Sequence, residues 1–530
     1  MFYLSTEMAS SDSLRKTDLF KKQDGFRIPA LLHIPDSSIL LAFTESRRGP
    51  KDESADLLYL RRGEYNKSSE DFQLPWLFPD LLDKPLAVLP RVTLKRMACS
   101  DSLCKTDLFK KCTGPGGFRI PALLHIPDSN ILLAFAESRR GCKDESADLL
   151  YLRQGEYNKS SKDFQWEDAK PIQSAQLGNC RSMNPCPVYE KKKKTVFLFF
   201  IAVKGSTSEQ EQIDSRKNAA HLCYVTSVDN GHSWSVTIHL TDKCNGPKTE
   251  SCIGDTINTW ATFALGPGHG IQLNSGRLVI PAHAHVIESN EIRVRAFTFY
   301  SDDSGDSWQI GEFISGEECG ECQVVSLDQG NGSSGPALIY CNARNNKADK
   351  NQYRVEAFST DGGKTFSEGK LVTQLAEYSA GCHGSIISFP ASDISDVQSY
   401  SDLKNYHTQK GGDASNFDVI LFSHITNSNP RRDLGIYLCT YSGDHLTWTN
   451  PWVFFPDKSA YSELAFVKLP EKSNPVVTCL FEYGCKNNVI SFCVLQIDDI
   501  IEKTVKKMND TRNPEVDKCT ISKCFHCCCC

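Results

Sequence analysis

The sequence predicts an all-β protein, and two observations support that prediction. Beyond residue 118, short apolar runs alternate with Gly, Asn, Asp and Ser, as in ILLAFAES, TVFLFFIAV and YRVEAFST. Runs of this length and composition are typical of β-strands bounded by turns. Long helical periodicity is absent until the C-terminal region. A propeller, a barrel and a sandwich all fit this pattern.

Three turns share the pattern S-x-D-x-G-x-[ST]-[WF], and they begin at Ser227, Ser301 and Ser359. In each turn the Asp carboxylate is expected to accept backbone N–H groups, and the Gly to adopt a positive φ. The aromatic residue is expected to pack beneath the turn. One such turn can arise by chance, but three in order resemble the Asp boxes of sialidases. Because Asp boxes also occur in other propellers, the chemistry has to be argued from other residues.

The composition narrows the classes of partner and of location. The 530 residues carry a net charge of −6, so a broad basic surface for nucleic acid is not expected. The first residues contain no apolar run long enough for a signal peptide. The strongest apolar run, Val196 to Val203, is too short to span a bilayer. We therefore expect a cytoplasmic or peripheral membrane protein whose 23 cysteines are mostly reduced and buried.

Nine segments of the chain form an ordered series: FRIPALL, AFAESR, KDE, RSMNPCP, GPGHG, ECQV, NAR, RRDLG and AYSEL. In this order they resemble animal sialidases of the cytosolic and plasma-membrane type, over residues 112–500. The resemblance implies an all-β, six-bladed β-propeller and a retaining exo-α-sialidase that needs neither a metal nor an organic cofactor. Its expected substrates are sialylated glycolipids such as gangliosides, glycoproteins and oligosaccharides. The alternative is a non-catalytic propeller that binds sialic acid as a lectin does.

Part of the resemblance occurs twice, because residues 8–71 and 97–164 are almost identical. Such near-identity is unlike a propeller repeat and indicates a recent duplication or an error in the gene model. The second copy continues into strand-like sequence, whereas the first runs into a linker rich in Pro and Leu. We expect residues 1–96 to lie outside the propeller, residues 97–505 to form it, and residues 506–530 to be a cysteine-rich tail. In the alternative, the first copy takes the place of the second.

Sialic acid bears a carboxylate on its anomeric carbon, so its site requires fixed positive charge. Arg suits this requirement better than Lys, because a planar guanidinium binds a carboxylate bidentately. By motif, Arg119 in FRIP, Arg344 in NAR and Arg431 before DLG resemble the carboxylate-binding arginines of the family. The neighbouring Arg432 is the alternative to Arg431.

The carboxylate of the sugar would repel an anionic nucleophile, whereas a Tyr hydroxyl is neutral at rest and sialidases are known to use one. By the same resemblance, Tyr461 in AYSEL is the nucleophile, and Glu321 in ECQV is the base that takes its proton. Asp144 in KDE is the acid that protonates the leaving oxygen and then the base that activates water. The adjacent Glu145 is the alternative in that role.

Five further residues are expected around the sugar. Arg139 in AFAESR resembles another substrate-site arginine, and Glu137 is expected to orient the guanidinium of Arg119. Glu209 in STSEQEQ resembles a Glu that contacts polar substituents of the sugar. Where relatives often carry PAYxY, this chain has His283 and His285. Because imidazole titrates close to neutral pH, the resemblance fixes the reaction type but neither the aglycone preference nor the pH optimum.

Two cysteine motifs lie outside this site. Cys319-Gly-Glu-Cys322 lacks a second ligand pair at the spacing of a zinc site, so no metal is expected. The tail from Cys524 to Cys530 is interpreted as a disordered end, a gene-model artefact or a site of S-palmitoylation. Two acyl chains would suffice for stable association with the membrane surface.

Overall fold

The computed structural model describes four strands between residues 26 and 73 and most of residues 105–506. Within the latter range it leaves out residues 111–115, 162, 242–252, 290, 328–336, 348–352, 379–380, 395, 413–415, 429–430, 442, 444–445, 470–474 and 485–488. The predicted tail from Cys524 to Cys530 lies outside the described residues. The chain divides into two compact units, Met1–Ser100 and Asp101–Cys530.

The unit Met1–Ser100 contains one antiparallel sheet in the order β1-β2-β3-β4. Its strands are β1 (Phe26–His33), β2 (Ile39–Arg47), β3 (Ala55–Asn66) and β4 (Asp71–Gln73). The register places Arg27 opposite Glu45, with a bulge after Arg27. The second copy of the duplicated sequence has the same register, with Arg119 opposite Glu137 and a bulge after Arg119. Each copy therefore forms a sheet of its own, and the two sheets have the same local register.

The unit Asp101–Cys530 is built from antiparallel sheets of consecutive strands. The first contains β6 (Gly117–His125), β7 (Ile131–Arg139), β8 (Ala147–Asn158), β9 (Asp163–Trp166) and β10 (Lys170–Pro171). The second contains β11 (Cys180–Glu190), β12 (Thr195–Lys204), β13 (Ala220–Ser227) and β14 (Ile238–His239). The third contains β15 (Thr262–Leu265), β16 (Ile271–Gln272), β17 (Leu278–Glu288), β18 (Glu291–Ser301) and β19 (Gln309–Ile310).

The fourth sheet contains β20 (Cys319–Leu327), β21 (Leu338–Asn345), β22 (Tyr353–Ser359) and β23 (Lys370–Ala376). An eight-stranded sheet follows, with β24 (Ser385–Pro390), β25 (Asp418–Ser428), β26 (Arg431–Tyr441), β27 (Thr447–Trp448), β28 (Trp452–Val467), β29 (Val476–Tyr483), β30 (Val489–Gln496) and β5 (Lys105–Phe109). It joins two four-stranded groups where the long strand β28 pairs with β26.

Short helices connect or cover these sheets. They are α1 (Glu209–Ser215), α2 (Ile253–Ile257), α3 (Val397–Gln409) and α4 (Ile497–Ile501), with a π-helical turn over Glu502–Lys506 and 3-10 turns over Asp144–Ser146 and Ala391–Asp393. Among the described residues, none of the helices has the length and apolar character needed to cross a membrane.

The sheets of Asp101–Cys530 form a closed ring. Strands of neighbouring sheets contact one another in the order β6, β11, β17, β20, β24, β28 and back to β6. The strand β5 completes the last four-stranded group, since Lys105 pairs with Cys493 of β30. The fold is a β-propeller, so the predicted all-β class is confirmed and the barrel and sandwich alternatives are set aside. The ring supports the predicted count of six blades, which stays a prediction.

Apolar side chains between neighbouring sheets hold the ring together. The four-residue run Leu198–Ile201 of β12 is buried on both faces of its strand, as expected for a strand that lies inside a stack of sheets. One face packs towards the first sheet and the other towards the third. Free thiols take part in these cores, and of the described cysteines only Cys142 is exposed.

The three Asp boxes have the predicted turn geometry. In the first, Asp229 Oδ1 accepts the backbone N–H of Ser233 over 2.9 Å, and Oδ2 accepts its hydroxyl over 2.5 Å. Gly231 has a φ of 92°. Asp303 makes the equivalent contacts in the second box, whose closing Trp308 is buried. The prediction that each box is a structural turn closed by its own Asp is confirmed.

Candidate active site

A cavity of about 310 Å³ lies at the end of the propeller where β6, β11 and β20 begin and β7 ends. The Asp boxes follow the third strands of their sheets, which run parallel to the first strands. They therefore lie at the opposite end of the propeller. The cavity brings together seven of the residues predicted from the sequence: Arg119, Arg139, Asp144, Glu209, His283, Glu321 and Tyr461.

Tyr461, Glu321 and Arg344 form one hydrogen-bonded cluster. The phenol of Tyr461 donates to Glu321 Oε1 over 2.5 Å, and Arg344 Nη1 donates to Glu321 Oε2 over 2.8 Å. Arg344 Nη1 also donates to the Tyr461 hydroxyl over 3.2 Å. Burial opposes ionisation of Glu321, but Arg344, the nearby histidines and the hydrogen bond from Tyr461 together outweigh it and lower the pKa of Glu321 to about 2. Burial and the Glu321 charge together raise the pKa of Tyr461, so the resting pair is a carboxylate and a neutral phenol.

The guanidinium group of Arg119 approaches the same tyrosine from the first sheet, and that of Arg431 approaches it from β26 of the tyrosine's own sheet. The guanidinium carbon of Arg119 lies 5.2 Å from the centre of the Tyr461 ring. Arg431 Nη2 donates to the carbonyl of Gly381 over 2.5 Å, and its charge interacts with those of Tyr461 and Arg344. Three buried or half-buried arginines thus surround one phenol, and such an excess of fixed positive charge favours an anionic ligand.

A fully buried carboxylate holds Arg119 in place. Glu482 Oε1 accepts Arg119 Nε over 2.8 Å and the backbone N–H of Ile120 over 2.8 Å. Ile120 has a φ of 57°, in the left-handed region that β-branched residues rarely adopt. This conformation occurs at the bulge after Arg119, where the FRIP segment leaves regular pairing. Strain of this kind is often found at functional sites.

Asp144 occupies the mouth of the cavity. Its side chain is 68% exposed, and Arg139 Nη1 donates to its carboxylate. Arg139 Nε donates to the buried Glu137 Oε1 over 2.7 Å, and Glu137 Oε2 accepts the backbone N–H of Asn184 over 3.2 Å. One arginine therefore links a buried carboxylate to an accessible one.

Comparison with known proteins decides the family. The model of the BNR repeat-like domain matches residues 130–469. Sialidase-3 of Mus musculus is 38% identical over 405 residues, which cover 72% of this chain and 92% of the relative. Sialidase-2 of Mus musculus is 36% identical over 399 residues, covering 74% and 96%. The chain belongs to the sialidase family.

Solved structures share the fold of this sialidase at much lower identity. The NanB sialidase from Streptococcus pneumoniae superposes with a TM-score of 0.54 at 14% sequence identity, covering 88% of this chain and 84% of the other. Sialidases are glycoside hydrolases, so the cavity of this sialidase is a candidate site for glycosidic bond cleavage.

One expected contact of the sialidase differs in the structure. Glu137 was expected to orient Arg119, which lies opposite it in the register of β6 and β7. Glu137 instead binds Arg139, two residues along its own strand and on the same face. Glu482 of the neighbouring sheet takes the position at Arg119. The prediction for Glu137 was wrong because the residue that binds Arg119 comes from a different sheet, and a contact between sheets cannot be seen in the sequence.

His283 and His285 lie beside Glu209, and the chemistry of His283 differs from the expectation. His285 Nε2 lies 3.4 Å from Glu209 Oε1, and hydrogen bonding to His285 lowers the pKa of Glu209. His283 is buried, and burial lowers its pKa to about 4. The expectation that this position titrates close to neutral pH is therefore wrong for His283, because desolvation disfavours its charged form.

Sequence reasoning missed three residues that contact the site, of which Glu482 is the first. Arg181 lines the cavity and donates to the carbonyls of Gly205 and Thr207, both over 2.6 Å, just before the helix that carries Glu209. His383 is fully buried with its ring centre 5.3 Å from that of Tyr461. Arg181 stands in the RSMNPCP segment, which is the one signal that would have pointed to it.

The alternatives at two positions, Glu145 and Arg432, make weaker contacts with the site. Glu145 also lines the cavity beside Asp144, but Arg139 contacts Asp144. Arg432 pairs with Asp433 over 3.0 Å and is 40% exposed, whereas Arg431 faces Gly381. Among the described residues, no group of three or more His, Cys, Asp or Glu side chains is placed to hold a metal ion.

Proposed function

We propose that this chain is a retaining exo-α-sialidase that releases terminal sialic acid through a covalent bond to Tyr461. The observation that supports this most directly is the cluster in which Glu321 accepts the phenolic hydrogen of Tyr461 over 2.5 Å. A tyrosine with an ionised carboxylate on its hydroxyl is prepared to lose its proton to that carboxylate as it attacks.

Binding begins with the carboxylate of the sugar. Arg119, Arg344 and Arg431 hold it, and their fixed positive charge places the anomeric carbon above Tyr461. A bound carboxylate at this position would repel an anionic nucleophile, so a neutral phenol is the better attacking group. Glu209, which lines the cavity and lies 3.4 Å from His285 Nε2, is assigned to the polar substituents of the sugar.

The chemical steps follow from the positions of the three groups. In the first, the Tyr461 oxygen bonds to the anomeric carbon, its proton passes to Glu321, and Asp144 protonates the leaving glycosidic oxygen. In the second, Asp144 removes a proton from water, which attacks the anomeric carbon, and Glu321 returns its proton to the departing Tyr461 oxygen. Two displacements at one carbon retain its configuration.

The substrate class is sialylated glycolipids, including gangliosides, together with glycoproteins and oligosaccharides. The exposed position of Asp144 supports this breadth, because the leaving group must extend past it out of the cavity. Arg119, Glu209 and Tyr461, which are assigned to the sugar, line the cavity itself, so the aglycone contacts surface residues around its mouth.

We assign one active site to the chain, built from the second copy of the duplicated segment. Arg119, Arg139 and Asp144 line the cavity together with Glu321 and Tyr461. The corresponding residues of the first copy, Arg27, Arg47 and Asp52, belong to the unit Met1–Ser100. We propose that residues 1–96 are not part of the propeller.

Hydrolysis of a fluorogenic α-sialoside by the purified full chain tests the proposal, with proton NMR of the first product to establish which anomer is released. The expected result is turnover with the α-anomer appearing first, and loss of turnover in Tyr461→Phe. A folded chain that binds sialosides without hydrolysing them at acidic and neutral pH would reject the proposal and support a lectin-like propeller.

A further inference from the structure

A fully buried ion pair lies behind the active site, and the proposed chemistry does not use it. Arg354 of β22 donates through Nη1 to Glu377 Oε2 over 2.7 Å, and both side chains are 0% exposed. Burial opposes ionisation of Glu377, but Arg354 and His424 together outweigh it and lower the pKa of Glu377 to about 2. Moving two charges from water into the protein interior costs free energy. The contacts that such a pair makes therefore indicate its structural role.

Both partners hold the backbone of a single residue, Cys382. Arg354 Nη1 donates to the Cys382 carbonyl over 2.7 Å, and the Cys382 N–H donates to Glu377 Oε1 over 3.1 Å. The ring of His424 adds a contact to the same carbonyl at 3.3 Å. Arg354 itself is fixed by Nε, which donates to Asn342 Oδ1 over 2.9 Å. The ion pair thus satisfies both polar groups of one buried peptide residue.

The neighbours of Cys382 contact three groups of the proposed active site. Arg431 donates to the carbonyl of Gly381. Gly381 has a φ of 58°, and a Cβ placed on it would lie 2.6 Å from Arg344 Nε, so the side chain of Arg344 passes directly over this glycine. On the other side of Cys382, His383 packs its neutral ring against Tyr461.

We propose that the Arg354–Glu377 pair is a positioning element for carboxylate recognition: it fixes residues 381–383, and these set the places of Arg344, Arg431 and Tyr461. The inference rests on the proposed function. Bidentate recognition of a carboxylate requires the guanidinium groups to be held within about 0.5 Å and 10–20° of their productive geometry. Arg431 and Arg344 both lie against Gly381, so the positions of their guanidinium groups depend on the position of this glycine.

An apolar pair of similar volume would avoid the desolvation cost, and in many proteins such a replacement is neutral or stabilising. Here it would leave the N–H and the carbonyl of Cys382 buried without these partners, and each unsatisfied group is itself destabilising. The charges therefore act through the backbone they hold, and their removal displaces the segment as well as lowering stability.

The test compares the full chain with Glu377→Gln and Arg354→Lys. Two readouts are taken: the steady-state constants for a fluorogenic sialoside, and the Kd of 2,3-didehydro sialic acid, which keeps the carboxylate. We expect KM and Kd to rise together by about tenfold or more, with a smaller fall in kcat, because the ground-state carboxylate contacts are lost first. Arg354→Lys should raise KM and Kd less, since lysine keeps the positive charge but lacks the planar guanidinium group that binds two acceptors at once.

Arg277→Lys is the matched control for stability. Arg277 also holds a carboxylate and backbone carbonyls, since it donates to Asp302 and to Asp361 O, but it lies at the Asp-box end of the propeller. The Arg277→Lys substitution should lower the melting temperature without changing KM or Kd. If Glu377→Gln lowers the melting temperature and leaves both constants as in the parent, the pair is only structural and the inference is overturned.

Gly381→Ala tests the same idea without touching the ion pair, and so covers the case in which Glu377→Gln fails to fold. Its added Cβ should displace Arg344 and raise Kd. Gly178→Ala is its control, because Gly178 has a similar φ of 52° and no atom within 4 Å of a Cβ. Equal Kd values for the two alanine variants would overturn the inference. A parent that binds the analogue but does not hydrolyse sialosides would reject the proposed function alone, since the Kd of the analogue still tests the positioning role.

Discussion

Tyr461 donates its phenolic hydrogen to Glu321 Oε1 over 2.5 Å, while Arg344 holds the other oxygen of the same carboxylate over 2.8 Å. The positive charge of Arg344 favours the ionised form of Glu321, and burial together with the Glu321 charge keeps the phenol protonated. One environment thus holds the pKa values of the pair far apart, as the proposed roles of nucleophile and base require.

Replacing Glu321, the proposed base, should therefore lower kcat/KM more than the loss of an ordinary hydrogen bond would. We expect Glu321→Gln to lower kcat/KM by about 10²–10⁴-fold, the usual contribution of general-base catalysis. Tyr461→Phe should abolish turnover of a fluorogenic sialoside. Tyr300→Phe serves as control, because Tyr300 donates to Gln309 far from the cavity and its loss should leave kcat unchanged. Full activity in Tyr461→Phe would exclude the tyrosyl intermediate.

The duplication makes a paired experiment possible on a single chain. Arg119→Ala removes one partner of a buried charged pair with Glu482, and it should lower kcat/KM by about 10²–10³-fold. Arg27→Ala makes the same change in the first copy and should leave turnover of the full chain nearly as in the parent. If Arg27→Ala proved the damaging substitution, the two copies would be assigned the wrong way round.

The Asp boxes should contribute to stability alone. Asp303 closes the second box through Ser307, and Asp303→Ala leaves the N–H and the hydroxyl of Ser307 without that acceptor. We expect a loss of about 1–3 kcal/mol in the free energy of unfolding, measured by urea denaturation. KM and kcat should not change, because the box lies at the end of the propeller away from the cavity. A change in KM would contradict that placement.

Acid should destabilise this protein partly through His383. Burial lowers its pKa from 6.5 to about 3, so between these values the unfolded chain binds a proton that the folded chain does not. The group's contribution is complete above about pH 6.5 and falls with pH by about 1.4 kcal/mol per pH unit until the folded pKa is reached. His383→Gln should flatten the dependence of the urea midpoint on pH between 7 and 4.

The flattening should be partial, because His283 titrates in the same direction with a pKa of about 4. The charges of Glu321, Arg354, His424 and Arg344 act on His383. Those of Glu321 and the two arginines stay constant over this range, since the pKa of Glu321 is about 2 and guanidinium groups remain protonated. An unchanged slope in His383→Gln would show that its buried ring does not set the acid limit.

The sequence predicted the class of fold and seven of the twenty residues that line the cavity, because strands, turns and short motifs are local features. It assigned Arg119, Asp144, Glu321 and Tyr461 to one site only through family resemblance. What it missed are contacts between distant segments. Glu482 contacts Arg119 although the two residues are 363 positions apart in the chain, and the sequence around neither residue indicates the contact. The Arg354–Glu377 pair joins residues only 23 positions apart, but the sequence does not show that both of these charged side chains are fully buried.

Glu482 provides the most direct measure of how much such a hidden contact matters. One of its oxygens accepts both Arg119 Nε and the N–H of Ile120, so it fixes the arginine and the unusual backbone beside it. Glu482→Ala removes both contacts and should raise KM by about 10–100-fold, with a smaller effect on kcat. Glu482→Gln keeps one carbonyl acceptor and should recover much of the loss. If the two variants had equal KM values, the hydrogen bond would not be what positions Arg119, and the negative charge alone would account for the effect.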